Sequence, residues 1–147
     1  SLLGLDNIRS WISLLVMSGI EDKPDLMCMN ALIRAEMCSR LADEVGIQLR
    51  GKSLFTAGLI STMDSFLDMH LIDIVQSINV PDWLRETLLE HKGVAGLILN
   101  TAILYEKTDF DAVKWDQLHA LGITTESIQL SYHDSIVRSA DIISLVR

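Results

Sequence analysis

The sequence predicts an all-α protein, a compact bundle of about eight helices. Three observations carry the helical expectation. Apolar residues return at helical spacing in segment after segment, no stretch sustains the period-two alternation of a half-buried strand, and Pro, Gly and Asn break the pattern at short intervals. At 147 residues the chain suits one domain over its whole length, 1–147. Only 5% of the residues are aromatic against a hydrophobic total of 49%, so the core must be built mainly from Leu, Ile, Val, Met and Ala.

The stretch Ser53–Leu67 organises the rest. Leu54, Gly58, Ser61 and Ser65 form one row at helical spacing, with Phe55, Leu59, Thr62 and Phe66 beside it, and no charge appears before Asp64. A helix that is apolar or small nearly all round belongs in the middle of a domain. Gly58 lowers helix propensity by about 1 kcal/mol relative to Ala, and the usual return is close approach by another helix or by a ligand.

Taken in order, Asp6 is a good N-cap, and Ile8, Trp11, Ile12, Leu15 and Val16 make an apolar stripe that runs to Gly19. Apolar residues beginning at Leu2 suggest a cut through a larger fold. Pro24 suits the first turn of a second helix, which reaches Val45 and stops at Gly46. Its face carries Met29, Ile33, Met37 and Leu41. Gln48 to Lys52 is a polar link into the central helix. Asp68 is a candidate cap for a short helix over Leu71–Ile78, and Pro81 opens another through Trp83, Leu84, Leu88 and Leu89 to His91. Gly93 is expected to end that helix, with Val94–Glu106 following as a strongly apolar one. Asp109 is expected to cap a helix from Phe110 to Leu121, stopped at Gly122. Thr124 or Thr125 starts the last helix, with a stripe of Ile128, Tyr132, Ile136, Ala140 and Ile143.

Charge excludes some classes of partner. A net charge of −8 argues against nucleic acid or an anionic membrane, both of which reward clustered Lys and Arg. Cys28 and Cys38 lie on one helix about 15 Å apart in rise, beyond disulfide reach, as expected of thiols in a reducing compartment. The longest uncharged run, Gly93 to Tyr105, is too short to span a bilayer, and no signal-peptide pattern opens the chain. A cytoplasmic address is expected.

Chemistry-bearing patterns are sparse. His133-Asp134 could bind metal only if further ligands converged from other helices, and it falls off the apolar stripe, where side chains face water. His119 lies in a terminal turn, where a cation suits the helix dipole. There is no G-x-S-x-G elbow, no Gly-rich phosphate loop and no CxxC pattern, and the acidic residues are scattered.

Four separated motifs do form a set: Arg9 and Trp11; Ala31 to Ala35 with Met37 and Cys38; Phe55 to Leu59 with Ser61 and Asp64; and Leu88, Leu89, His91 and Gly93. Together they resemble the HDOD family, non-catalytic relatives of the HD-type metal-dependent phosphohydrolases. The closest likeness is to the branch in which an HDOD domain follows an N-terminal EAL domain, the cyclic-diguanylate phosphodiesterase fold. Laid on catalytic relatives, the resemblance puts the first metal-ligand His at Arg34 and the His-Asp doublet at Ser61 and Thr62. His91 stands near a position where some relatives keep a His. Neutral hydroxyls are poor ligands for divalent metals, and Arg34 sets a fixed positive charge where a cation would sit.

The resemblance therefore implies a degenerate metal site with no catalytic residue, no cofactor and no metal. It further implies a bacterial regulatory domain whose partners are the EAL domain of the parent chain or a downstream signalling protein, with self-association also open. Arg34 itself has three readings: an ion pair with a buried carboxylate such as Asp64, exposure to solvent, or a hold on an anionic ligand such as a nucleotide phosphate. Two functional alternatives follow, a residual phosphohydrolase with substrate near Arg34, and a nucleotide sensor using the former metal pocket.

Overall fold

The computed structural model describes residues 25–46 and 51–146. The helix expected after Asp6, the Pro24 start and most of the polar link lie outside these residues. Among the described residues there is no strand, and the elements are α1 (Asp25–Val45), α2 (Gly51–Ile60), α3 (Met63–Leu67), α4 (Leu71–Ser77), α5 (Asp82–Glu90), α6 (Gly93–Glu106), a 3-10 turn (Phe110–Ala112), α7 (Trp115–Ala120) and α8 (Thr125–Val146). The all-α expectation is met. None of these helices is long and apolar enough to cross a membrane.

Helices α1 and α2 form the spine and divide the interior in two. One cluster gathers Met37, Cys38, Leu41 and Ala42 of α1 with Leu54, Ala57 and Ile60 of α2 and the buried faces of α5 and α6. The other joins Cys28, Ala31, Leu32 and Ala35 to Phe55, Leu59, Met63, Phe66, Ile74 and Ile142. Helix α1 therefore buries a wider face than the expected stripe. Ile33, Met37 and Leu41 are buried as anticipated, while Met29 is only partly so. Three neighbours account for the width, since α2, α6 and α8 all pack on α1.

Gly58 does what its position in the apolar helix implied. A Cβ there would stand 2.7 Å from Ala35 Cα and 3.2 Å from the Arg34 carbonyl oxygen, so α1 and α2 cross with their backbones in contact. Gly46, with φ +112°, supplies the expected stop to α1.

The central helix is not continuous to Leu67. It ends at Ile60, and α3 restarts at Met63. The hydroxyls of Ser61 and Thr62 cause the break. The Thr62 N–H turns to the Leu59 carbonyl (3.1 Å), one residue short of the α-helical acceptor. The Gly58 carbonyl thereby released accepts instead from Ser61 Oγ at 2.7 Å. Thr62 Oγ1 adds a bond to the Leu59 carbonyl at 2.6 Å, so both side chains substitute for the ladder they interrupt.

Three other boundaries, and the buried face of the last helix, differ from expectation. Asp68 closes α3 in a left-handed conformation (φ 53°) instead of capping α4, whose N-cap is His70. His91 makes the left-handed end of α5, and Gly93 (φ +68°) is the first residue of α6, not the terminator of α5. The Phe110–Leu121 segment splits into a 3-10 turn and α7, and Asp109 makes no side-chain cap. On α8 the buried line runs Ile128, Ser131, Ser135, Ser139 and Ile142, whereas Tyr132, Ile136 and Ile143 are only partly covered and Ala140 is exposed. Small serines let α8 lie close against α1, which rotates the apolar flank to the edge of the contact.

Candidate functional site

The α1–α2 crossing creates the site. Because Ala35 touches Gly58, Arg34 projects toward the α2–α3 break one turn further on. Arg34 Nη1 donates to Ser61 Oγ (3.1 Å) and lies 3.4 Å from the Ser61 carbonyl oxygen. Ser61 Oγ can accept this bond because its own proton goes to the Gly58 carbonyl. On the other side, Arg34 Nη2 meets Glu106 Oε2 at 2.6 Å, with the two side chains 14% and 24% exposed. This charge-assisted bond ties the middle of α1 to the last residue of α6.

The carboxylate paired with Arg34 is thus Glu106 and not the expected Asp64. Asp64 accepts the Ser65 backbone N–H at 2.8 Å and lines the same cavity. The sequence held a clue to Glu106: it is the one charged residue of the otherwise uncharged α6. Local pattern could not reveal that α6 ends against α1. Tyr105 helps to fix that end, its ring 5.0 Å from both Phe110 and Tyr132.

Arg34, Ser61, Thr62 and His91, the four positions singled out from the sequence, all line one cavity of about 450 Å³. Asp64, Glu106, Lys107 and Asn30 add polar groups to it, and Met27, Phe66, Leu71, Leu88 and Ile103 form its apolar walls. Thr62 contributes little donor capacity, because its hydroxyl proton is committed to Leu59. Among the described residues no group of three or more His, Cys, Asp or Glu side chains stands where it could hold a metal ion.

His91 reaches the cavity from a strained corner. Its φ of 53° puts a branched side chain in the left-handed region, and its backbone presses on α6 where Gly96 has no Cβ. Burial, and secondarily the Lys114 ammonium, hold its imidazole below the ordinary pKa. His91→Gly is expected to leave thermal stability unchanged or raise it by up to about 1 kcal/mol, because glycine adopts this conformation without steric penalty. A large loss in a urea melt would mean that the ring, and not the backbone, holds the corner.

The remaining candidates lie away from this place. His133 and Asp134 are on the exposed side of α8, with ring nitrogen and carboxylate 3.5 Å apart and side chains 74% and 54% exposed. Asp134 also comes within 3.8 Å of Arg40, linking α8 to α1. His119 is exposed beside Trp115. Cys28 and Cys38 are buried thiols on α1, and burial pushes the Cys38 thiol up to about 12, so it stays protonated at neutral pH.

The site is therefore a half-open, amphipathic cavity in an all-helical bundle, with an internal ion pair at its wall. The chain is similar to two curated bacterial proteins. It is 28% identical over 145 residues to Cyclic di-GMP phosphodiesterase CdgJ of Vibrio cholerae serotype O1, a match covering 98% of this chain and 33% of that protein. It is also 28% identical over 126 residues to Uncharacterized protein YuxH of Bacillus subtilis (strain 168), covering 82% of this chain and 29% of that protein. The chain thus spans about a third of the length of the curated relatives it matches. No protein-family profile matches it, and no solved structure does.

Proposed function

We propose that this chain is a non-enzymatic regulatory and protein-interaction domain of a cyclic di-GMP signalling protein, of the HDOD kind. The observation that carries the reading is the bridge from Ser61 through Arg34 to Glu106. At the positions where the resemblance puts metal ligands of catalytic relatives, this chain has a guanidinium already neutralised by a carboxylate and two hydroxyls committed to backbone carbonyls. Such groups attract no divalent cation and generate no metal-activated water. Similarity to a phosphodiesterase of cyclic di-GMP, over a third of that protein, supports the signalling context.

In this reading the helical bundle transmits rather than cleaves. Its partners are an EAL domain in the parent chain or a downstream signalling protein, and self-association is a further route; neither nucleic acid nor membrane is needed, and the address is the cytoplasm. Purified chain supplied with Mn, Mg, Fe or Zn is expected to hydrolyse neither cyclic di-GMP nor a model phosphodiester. Metal-dependent turnover that disappears on changing His91 or His133 would overturn the reading.

A further inference from the structure

We propose that the cavity beside Arg34 binds a nucleoside monophosphate, whose phosphate displaces the Glu106 carboxylate from the Arg34 guanidinium. The inference deepens the regulatory reading by naming what the domain senses. A volume of about 450 Å³, apolar walls and a few convergent polar groups describe a small-molecule pocket. Its walls are uneven in a useful way. Phe66, Leu88 and Ile103 offer an apolar surface for a planar base, and the lining also holds two cations, Arg34, paired with Glu106, and Lys107, next to Glu106 in sequence.

The charge pattern selects the ligand class. A phosphate monoester carries close to two negative charges and can accept two guanidinium N–H bonds, whereas Glu106 receives one from Nη2. Lys107, next to Glu106 in sequence, has no carboxylate within ion-pair distance among the described residues, so a second phosphate oxygen finds a cation there. Only one such cationic pair lines the cavity, which suits one phosphate and not a dinucleotide with two separated phosphodiesters. An apolar acid with a single carboxylate would gain nothing over Glu106 itself.

Exchange has a structural consequence. Arg34–Glu106 is the one ion pair joining α1 to α6 among the described residues. A ligand that takes Arg34 frees the C-terminal end of α6 from α1, so the ligand and that helix contact compete for one guanidinium. Competition of this kind is a coupling free energy between ligand and conformation, and it is reciprocal.

Isothermal titration of the chain with 5′-GMP, guanosine, inorganic phosphate and cyclic di-GMP tests the proposal. Binding of 5′-GMP is expected, with guanosine, phosphate and cyclic di-GMP each weaker. Glu106→Gln, which removes the internal competitor, is expected to bind 5′-GMP about tenfold more tightly. Lys107→Glu, an exposed change that spares the core, is expected to weaken it at least as much. No 5′-GMP binding at millimolar concentration, phosphate or cyclic di-GMP binding as tightly as 5′-GMP, or an unchanged affinity in Glu106→Gln would each overturn the proposal. None of those results bears on hydrolysis, so the regulatory reading stands or falls separately by its own assay.

Discussion

Glu106→Ala is expected to destabilise the bundle by about 2–3 kcal/mol, seen as a lower urea midpoint with an unchanged slope. Removing one partner of a fully buried ion pair costs about 3–5 kcal/mol, and the partial exposure of both groups here reduces that. The loss comes from what is left behind. Among the described residues the Arg34 Nε already lacks a hydrogen-bond partner, and without Glu106 Ser61 is the acceptor left to the guanidinium. The double variant Arg34→Met, Glu106→Leu is therefore expected to recover most of the stability, because an apolar pair replaces a desolvated one. If Glu106→Ala melts with the wild type, the bond is a surface contact of no energetic consequence, and its part in shaping the cavity falls with it.

Gly96→Ala is expected to do at least as much damage, about 3 kcal/mol or more, and to reduce the yield of folded protein. A Cβ at Gly96 would lie 2.0 Å from the His91 carbonyl carbon and 2.3 Å from its oxygen. Those are backbone atoms of the left-handed corner, so no rotamer change relieves the overlap, and α5 must shift against α6. Overpacking ordinarily costs about 1–3 kcal/mol when side chains can adjust, and here they cannot. Gly93→Ala is the contrasting case: Gly93, unlike Gly96, has a positive φ, but nothing lies within 4 Å of its Cβ position, so only the conformational penalty of about 1–2 kcal/mol applies. A Gly96→Ala variant as stable as the wild type would show that close approach at Gly96 contributes nothing.

Much of this architecture was legible in the sequence, and the misses share a cause. The helical class, the span of α1 with its Gly46 stop, and the close contact implied by Gly58 follow from spacing and from the cost of glycine in a helix. Helix ends differ from expectation where a side chain competes with the backbone ladder, as at Ser61 and Thr62, and at Asp68, a non-glycine residue in the left-handed conformation that closes α3 instead of capping α4. At the α5–α6 corner both His91 and Gly93 take a positive φ, so composition, which favours glycine there, does not say which of them closes α5. Arg34 was recognisable as the central charged residue of the site. Its partner was not, because Glu106 lies 72 positions away and is brought in only by the packing of α6 on α1.

The serine seam of α8 bears on how this bundle comes apart. Ser135 bonds back to the Ser131 carbonyl, but among the described residues the buried hydroxyls of Ser131 and Ser139 have no partner, and α1 is the helix against which α8 makes its main contact. Desolvating those oxygens uncompensated erodes the gain from burying the seam. Helix α8 gives each interior cluster one buried apolar side chain, Ile128 to one and Ile142 to the other, whereas α1 and α2 supply several to both. Amide exchange is therefore expected to be faster along α8 than along α1 and α2, whose buried side chains fill both clusters.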